Sequence, residues 1–160
     1  MERWRDHWID VRFDDEVEAL TVRVGELQRY LHRTKQEAVA AAGLQDFEYD
    51  TLHTLMIRDT PGRASPGDLG RDLGVSGAGM TGRLDGLEKR GFIKRTPSPD
   101  DRRRVDIEVT KEGAAIWRKA MSMRGDAEDQ LAAALSAKEL STLNRLMRKL
   151  TLHIESLGRD

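Results

Sequence analysis

The 160-residue chain contains no cysteine. Disulfides, thiolate catalysis and cysteine redox sensing are therefore excluded, and a reducing cytoplasm is the compatible setting. Long apolar runs are missing as well: no stretch approaches the roughly 18 residues that a membrane span requires. The opening MERWRDHWID is charged and lacks a signal-peptide core. A cytoplasmic protein without a membrane partner is the expectation. Net charge is small, formally -1 at pH 7, so no global excess of one sign demands a nucleic acid or a lipid surface. Catalytic patterns are equally thin. Neither GxSxG nor GKS/T occurs, and His7, His32, His53 and His153 have no HxxxH or HExxH spacing. No enzyme activity, metal site or cofactor is expected. The single GxGxxG, Gly77 to Gly82, is a decoy, because a dinucleotide fingerprint needs a buried strand before it and a parallel sheet around it.

What the chain does have is an uneven distribution of charge. From Arg83 to Arg104 eight basic residues face four acidic ones, so this stretch carries +4 and the remainder -5. Such a block is a local electrostatic footprint. It ends in Arg102, Arg103 and Arg104, directly before the alternating run Val105-Asp106-Ile107-Glu108-Val109.

Hydrophobic spacing supplies the framework. Val17, Leu20, Val24, Leu27 and Leu31 form one helical stripe, continued by Ala38 and ended by Gly43. Leu140, Leu143, Met147, Leu150, Ile154 and Leu157 form another, opened by the capping-box pair Ser136 and Glu139. Two such seams in a small chain favour a helical interface shared with a second copy. Between them the spacing predicts a helix over 47–58, stopped by Thr60-Pro61-Gly62. A short helix begins at Ser65-Pro66 and closes at Gly74, and another is capped by Ser76 and runs to Gly91. A strand over 92–95, a loop over 97–104 and a return strand over 105–109 make a β-hairpin, and a helix capped by Thr110 follows.

Helix, tight turn, helix and basic hairpin are the layout of a winged helix-turn-helix DNA reader. The fold expected is mainly α with a small β-hairpin wing (α+β), and long terminal dimerisation helices. Residues 1–43 and 111–160 are assigned to dimerisation and 44–110 to the winged DNA-binding domain, all within one compact unit. Met80, Leu84 and Leu87 share one face of the helix after Ser76, while Ala78, Gly82, Asp85 and Lys89 lie opposite. Interior glycines cost about 1 kcal/mol each, so a helix with Gly77, Gly79, Gly82 and Gly86 needs a reason, and close approach to base edges is one. The residues expected to meet duplex DNA are Ser65, Ser76, Gly77, Ala78, Thr81, Gly82, Lys89, Arg102, Arg103 and Arg104, with Arg103 at the wing tip. Arginine there suits phosphates or a narrow minor groove. A helical protein-interaction module without DNA binding is the alternative.

The segment SPGDLGRDLGVSGAGMTGRLDGLEKRGFIKRTPSPDDRRRVDIEVTKEG closely resembles the core of MarR-family transcription factors. The likeness runs from Phe47 to Gly113, through RLDGLEKRGFIKR, the wing and the TKEG that opens the following helix. It departs at Asp100-Asp101-Arg102-Arg103 and at Val109, where the family usually has leucine. The resemblance implies a homodimer on a pseudo-palindromic operator, typically a repressor, often released by a small anionic or phenolic effector. Trp4 and Trp8 in an added N-terminal segment, Phe47-Glu48-Tyr49-Asp50 and the glycine-rich helix start look like the urate-responsive, PecS-like branch. That likeness puts Trp8, Asp50, Arg83 and Arg95 around an anionic effector, urate or a carboxylate metabolite; Gly82, where the branch usually has asparagine, departs from it. Independently of the resemblance, Arg83 lies about 60° from Met80 and about 40° from Leu87 on a helical wheel. At the edge of the buried face, Arg83 needs an acid or an anion to offset desolvation. Asp50 is the expected acid, and a structural salt bridge is the alternative to a pocket.

Overall fold

The computed structural model of the protein describes residues 14–98 and 104–158. In chain order these form α1 (Asp15–Ala41), α2 (Asp46–Met56), β1 (Arg63–Ala64), α3 (Pro66–Asp72), α4 (Gly77–Lys89), β2 (Ile93–Pro97), β3 (Val105–Val109), α5 (Lys111–Ala132) and α6 (Ala137–Leu157). Each helix start has a local cause. The Asp14 carboxylate accepts from the backbone N–H groups of Glu16 and Val17, and the hydroxyls of Ser65, Ser76, Thr110 and Ser136 accept from the third residue onward. These side chains satisfy amides that the first helical turn leaves without partners. Gly74 ends the turn after α3 with φ +62°, a left-handed conformation that costs little only for glycine.

The wing is larger than a hairpin. β1, β3 and β2 form a three-stranded antiparallel sheet in that order, with Arg63 opposite Glu108 and Ala64 opposite Ile107. Two residues are too few to show an alternating pattern, and Thr60-Pro61-Gly62 reads only as a stop. The strand forms because the Val109 N–H donates to the Gly62 carbonyl at 2.8 Å, leading Arg63 and Ala64 into the free edge of β3. β2 also runs on through Pro97, which the sequence assigned to the loop. Pro97 pairs with Val105 at the end of the register, a position where a missing N–H is tolerated.

The core is built mainly from the winged part. Leu52 and Leu55 of α2, Leu69 of α3, Met80, Leu84 and Leu87 of α4, and Ile93 and Ile107 of the sheet are buried together, with Val39 of α1 and Ala120 of α5 closing the cluster. Glu48 is a buried acid in α2. Its carboxylate accepts from the Arg90 guanidinium at 2.5 Å, and Arg90 also donates to the Gly43 carbonyl at 2.7 Å. This pair pins the end of α4 to the start of α2. Apolar stripes at the two ends of the chain have a different fate. α6 buries no residue at all, and Leu143, Leu146, Leu150, Leu152, Ile154 and Leu157 are exposed, as are Val17, Leu20, Leu27 and Leu31 of α1. No helix among the described residues is long and apolar enough to cross a membrane.

Candidate nucleic-acid interface

The helix-turn-helix is held by close backbone contact. Gly70 is buried, and a Cβ there would lie 3.1 Å from the Val75 carbonyl oxygen. The Val75 N–H donates to the Gly70 carbonyl at 2.8 Å. Met80, Leu84 and Leu87 fix the inner face of α4 in the core, so the opposite face is outward by helical geometry. Gly77, Ala78, Thr81, Gly82, Asp85 and Lys89 are all exposed. A Cβ added at Gly77, Gly82 or Gly86 would meet no atom within 4 Å. Packing among the described residues therefore does not explain these glycines. Thr81 donates its hydroxyl to the Gly77 carbonyl at 2.9 Å. Ser65, at the half-buried start of α3, both accepts from the Asp68 N–H and donates to the Asp68 carboxylate at 2.8 Å. That hydroxyl, first, and Arg71 hold the Asp68 carboxyl below its ordinary pKa.

On the wing, Glu108 of β3 gathers Lys94 at 2.8 Å, Thr96 at 3.1 Å and Arg63 at 3.9 Å. The Lys94 hydrogen bond is the main reason its carboxyl titrates below the ordinary value. Arg63 also binds Asp106 at 3.0 Å. Arg104 is exposed, and its carbonyl accepts from the Ser98 N–H at 2.9 Å. Arg102, Arg103 and the acids Asp100 and Asp101 lie outside the described residues, as does Trp8.

The three described members of the expected effector group do not meet one another. Asp50 accepts from Lys35 of α1 at 2.7 Å, so the acid expected for Arg83 is taken by a lysine reaching across from α1. Arg83 instead places its guanidinium over the Phe47 ring, 5.7 Å from the centroid. Arg95 points at α4, donating to Asp85 at 2.6 Å and to the Glu88 carboxylate, while its own N–H donates to Glu88 at 3.2 Å. The hydrogen bond to Asp85, more than any other contact, raises the Arg95 pKa. Lys35, Asp85 and Glu88 were therefore not foreseen as partners. The signal for Arg95 was present: Ile93 is buried, and the two-residue period of a strand turns Arg95 to the same side.

The geometry is matched by similarity. The MarR family model matches residues 48–105. The HTH-type transcriptional regulator PecS of Dickeya dadantii is 30% identical over 150 residues, covering 92% of this chain and 90% of that protein. The chain belongs to the MarR family. A second relative of this MarR-family chain is the transcriptional repressor MprA of Escherichia coli, 29% identical, covering 84% of this chain and 76% of MprA. In three dimensions it resembles a cysteine-to-serine variant of E. coli MarR solved in complex with operator DNA. That likeness has a TM-score of 0.61 at 25% identity, covering 88% of this chain and 99% of the other.

Proposed function

We propose that this MarR-family regulator represses transcription by binding a pseudo-palindromic operator as a homodimer, with α4 in the major groove and the wing beside it. The observation that carries the reading is the outward face of α4, where Gly77 and Gly82 leave open space that no contact among the described residues requires. Ser76, Ala78, Thr81 and Lys89 flank that space. Arg104 and, beyond the described residues, Arg102 and Arg103 supply the cations of the wing, while Ser65 orients the start of α3. The name of MprA, a repressor, and the operator complex of the MarR variant support the same reading. The dimer is supported by the exposed apolar faces of α1 and α6; in this reading 1–43 and 111–160 are the pairing region around the winged unit at 44–110. A mobility shift on the promoter beside its own gene tests this. Binding should weaken steeply between roughly 50 and 200 mM salt through counterion release, and indifference to every duplex at low salt would rule it out.

The proposed effector is a small anion, urate or a carboxylate metabolite. Arg83 is its anchor: half-buried, seated on Phe47, and without a carboxylate in salt-bridge reach among the described residues. Trp8, Asp50 and Arg95 are the further members of the proposed site, with Asp50 releasing Lys35 and Arg95 releasing Asp85 on binding. In a thermal-shift screen of small anions, the active compound should lose its effect in Arg83→Ala; an undiminished shift would remove Arg83 from the site.

A further inference from the structure

Asp85 occupies an awkward place in a helix meant for a phosphate-lined groove. Ala78, Gly82, Asp85 and Lys89 follow one another at steps of four, three and four, so they form a single line along the outward face of α4. The carboxylate therefore stands at the middle of the face that would meet DNA, with Glu88 one turn on at its edge. Two uncompensated anions there would repel the duplex backbone, and repulsion between juxtaposed like charges is a strong term in recognition. Both carboxylates converge on one guanidinium. Arg95 leaves the inner face of β2 and reaches Asp85 at 2.6 Å with one terminal nitrogen and Glu88 with the other. Its backbone N–H adds a third link to Glu88 at 3.2 Å. Within the DNA-binding reading, on which the inference rests, the same contact has a second effect. It ties the wing to α4, so the two elements that would touch DNA are held in one relative orientation.

We propose that Arg95 is a positioning residue that masks Asp85 and Glu88, so that the outward face of α4 presents no uncompensated negative charge to DNA. The arginine touches no base or phosphate in this account; it acts through the two acids. A purely mechanical brace predicts something different. A brace is lost when Arg95 is removed, and nothing done to the acids restores it. Masking is restored when the acids are neutralised.

The test uses full-length protein and a labelled random-sequence duplex, with binding measured at low salt and again at higher salt. Arg95→Ala should bind about tenfold more weakly, a size ordinary for charges coupled in one network. Adding Asp85→Asn and Glu88→Gln to Arg95→Ala should bring affinity back to within about threefold of the wild type, since the coupled charges are then gone. Arg95→Lys, which keeps one charge but loses the two-pronged geometry, should fall between wild type and Arg95→Ala. Thermal melting of each variant reports whether the fold persists. A triple variant as weak as Arg95→Ala, though folded, overturns masking and leaves the regulator reading intact. If Asp85→Asn alone weakens binding to the same degree, the acid contacts DNA directly and masking is also overturned. A wild type that binds no duplex at all removes the function and this inference together.

Discussion

His53 shows how a single residue makes the fold sensitive to its medium. Its ring stacks on Tyr49 at 5.4 Å, and its Nδ1 accepts from the Trp117 indole N–H at 3.2 Å, joining α2 to α5. Burial, chiefly, and the nearby Arg124 guanidinium lower its pKa from 6.5; Lys35 adds to this and Asp50 opposes it. In the unfolded chain the imidazole takes a proton near its ordinary pKa, while in the folded protein it waits for a lower pH. The unfolded state therefore binds more protons in that window, and stability falls as pH drops below about 6.5. Melting measured across pH 7.5 to 5.5 should show a decline that is reduced in His53→Asn, which keeps an acceptor but does not titrate. An equal decline in the variant would place the sensitivity elsewhere. The sequence offered little warning of this junction, because the residues involved lie 64 positions apart and their meeting depends on how α2 and α5 cross. The Asp50–Lys35 pair was hidden for the same reason. By contrast, the buried set Met80, Leu84 and Leu87 was legible from helical period alone, and the structure buries all three.

Elements with a strong local signature were the readable ones. The caps at Ser65, Ser76, Thr110 and Ser136 mark helix starts that the structure reproduces, since a hydroxyl or carboxylate within three residues of a free amide acts without help from the rest of the fold. β1 left no such mark. Its two residues are strand only because β3 has an edge to fill. For α4, local and functional demands pull in opposite directions. Replacing Gly82 by alanine meets no neighbour within 4 Å among the described residues and should stabilise the helix by about 1 kcal/mol, raising the melting temperature by a few degrees. The added methyl group would stand on the face proposed to lie against base edges, so the same variant should bind operator DNA more weakly. A rise in both stability and affinity would mean that the groove does not require glycine there.

At the scale of the whole molecule, the apolar stripes of α1 and α6 are exposed among the described residues, and the proposed dimer would cover them. α6 presents a one-sided stripe with Leu143 at 40% and Ile154 at 65% exposure, while its capping box holds the helix start in place. Contiguous apolar faces of this kind mark interfaces rather than solvated surface. A closed pair of chains would cover both terminal stripes and set two α4 helices at half-sites about one helical turn apart, near 10 bp. Placing a charge in that seam should uncouple assembly from folding. Leu150→Glu lies on a helix that buries nothing within its own chain, so circular dichroism should keep its helical signal while sedimentation moves from dimer to monomer. With one half-site per particle, the gain from linked binding disappears, and operator affinity should fall by about 100-fold or more. A monomeric variant that still gripped the full operator would show that one winged unit suffices. A wild type already monomeric at working concentrations would instead leave the stripes of α1 and α6 for some other partner.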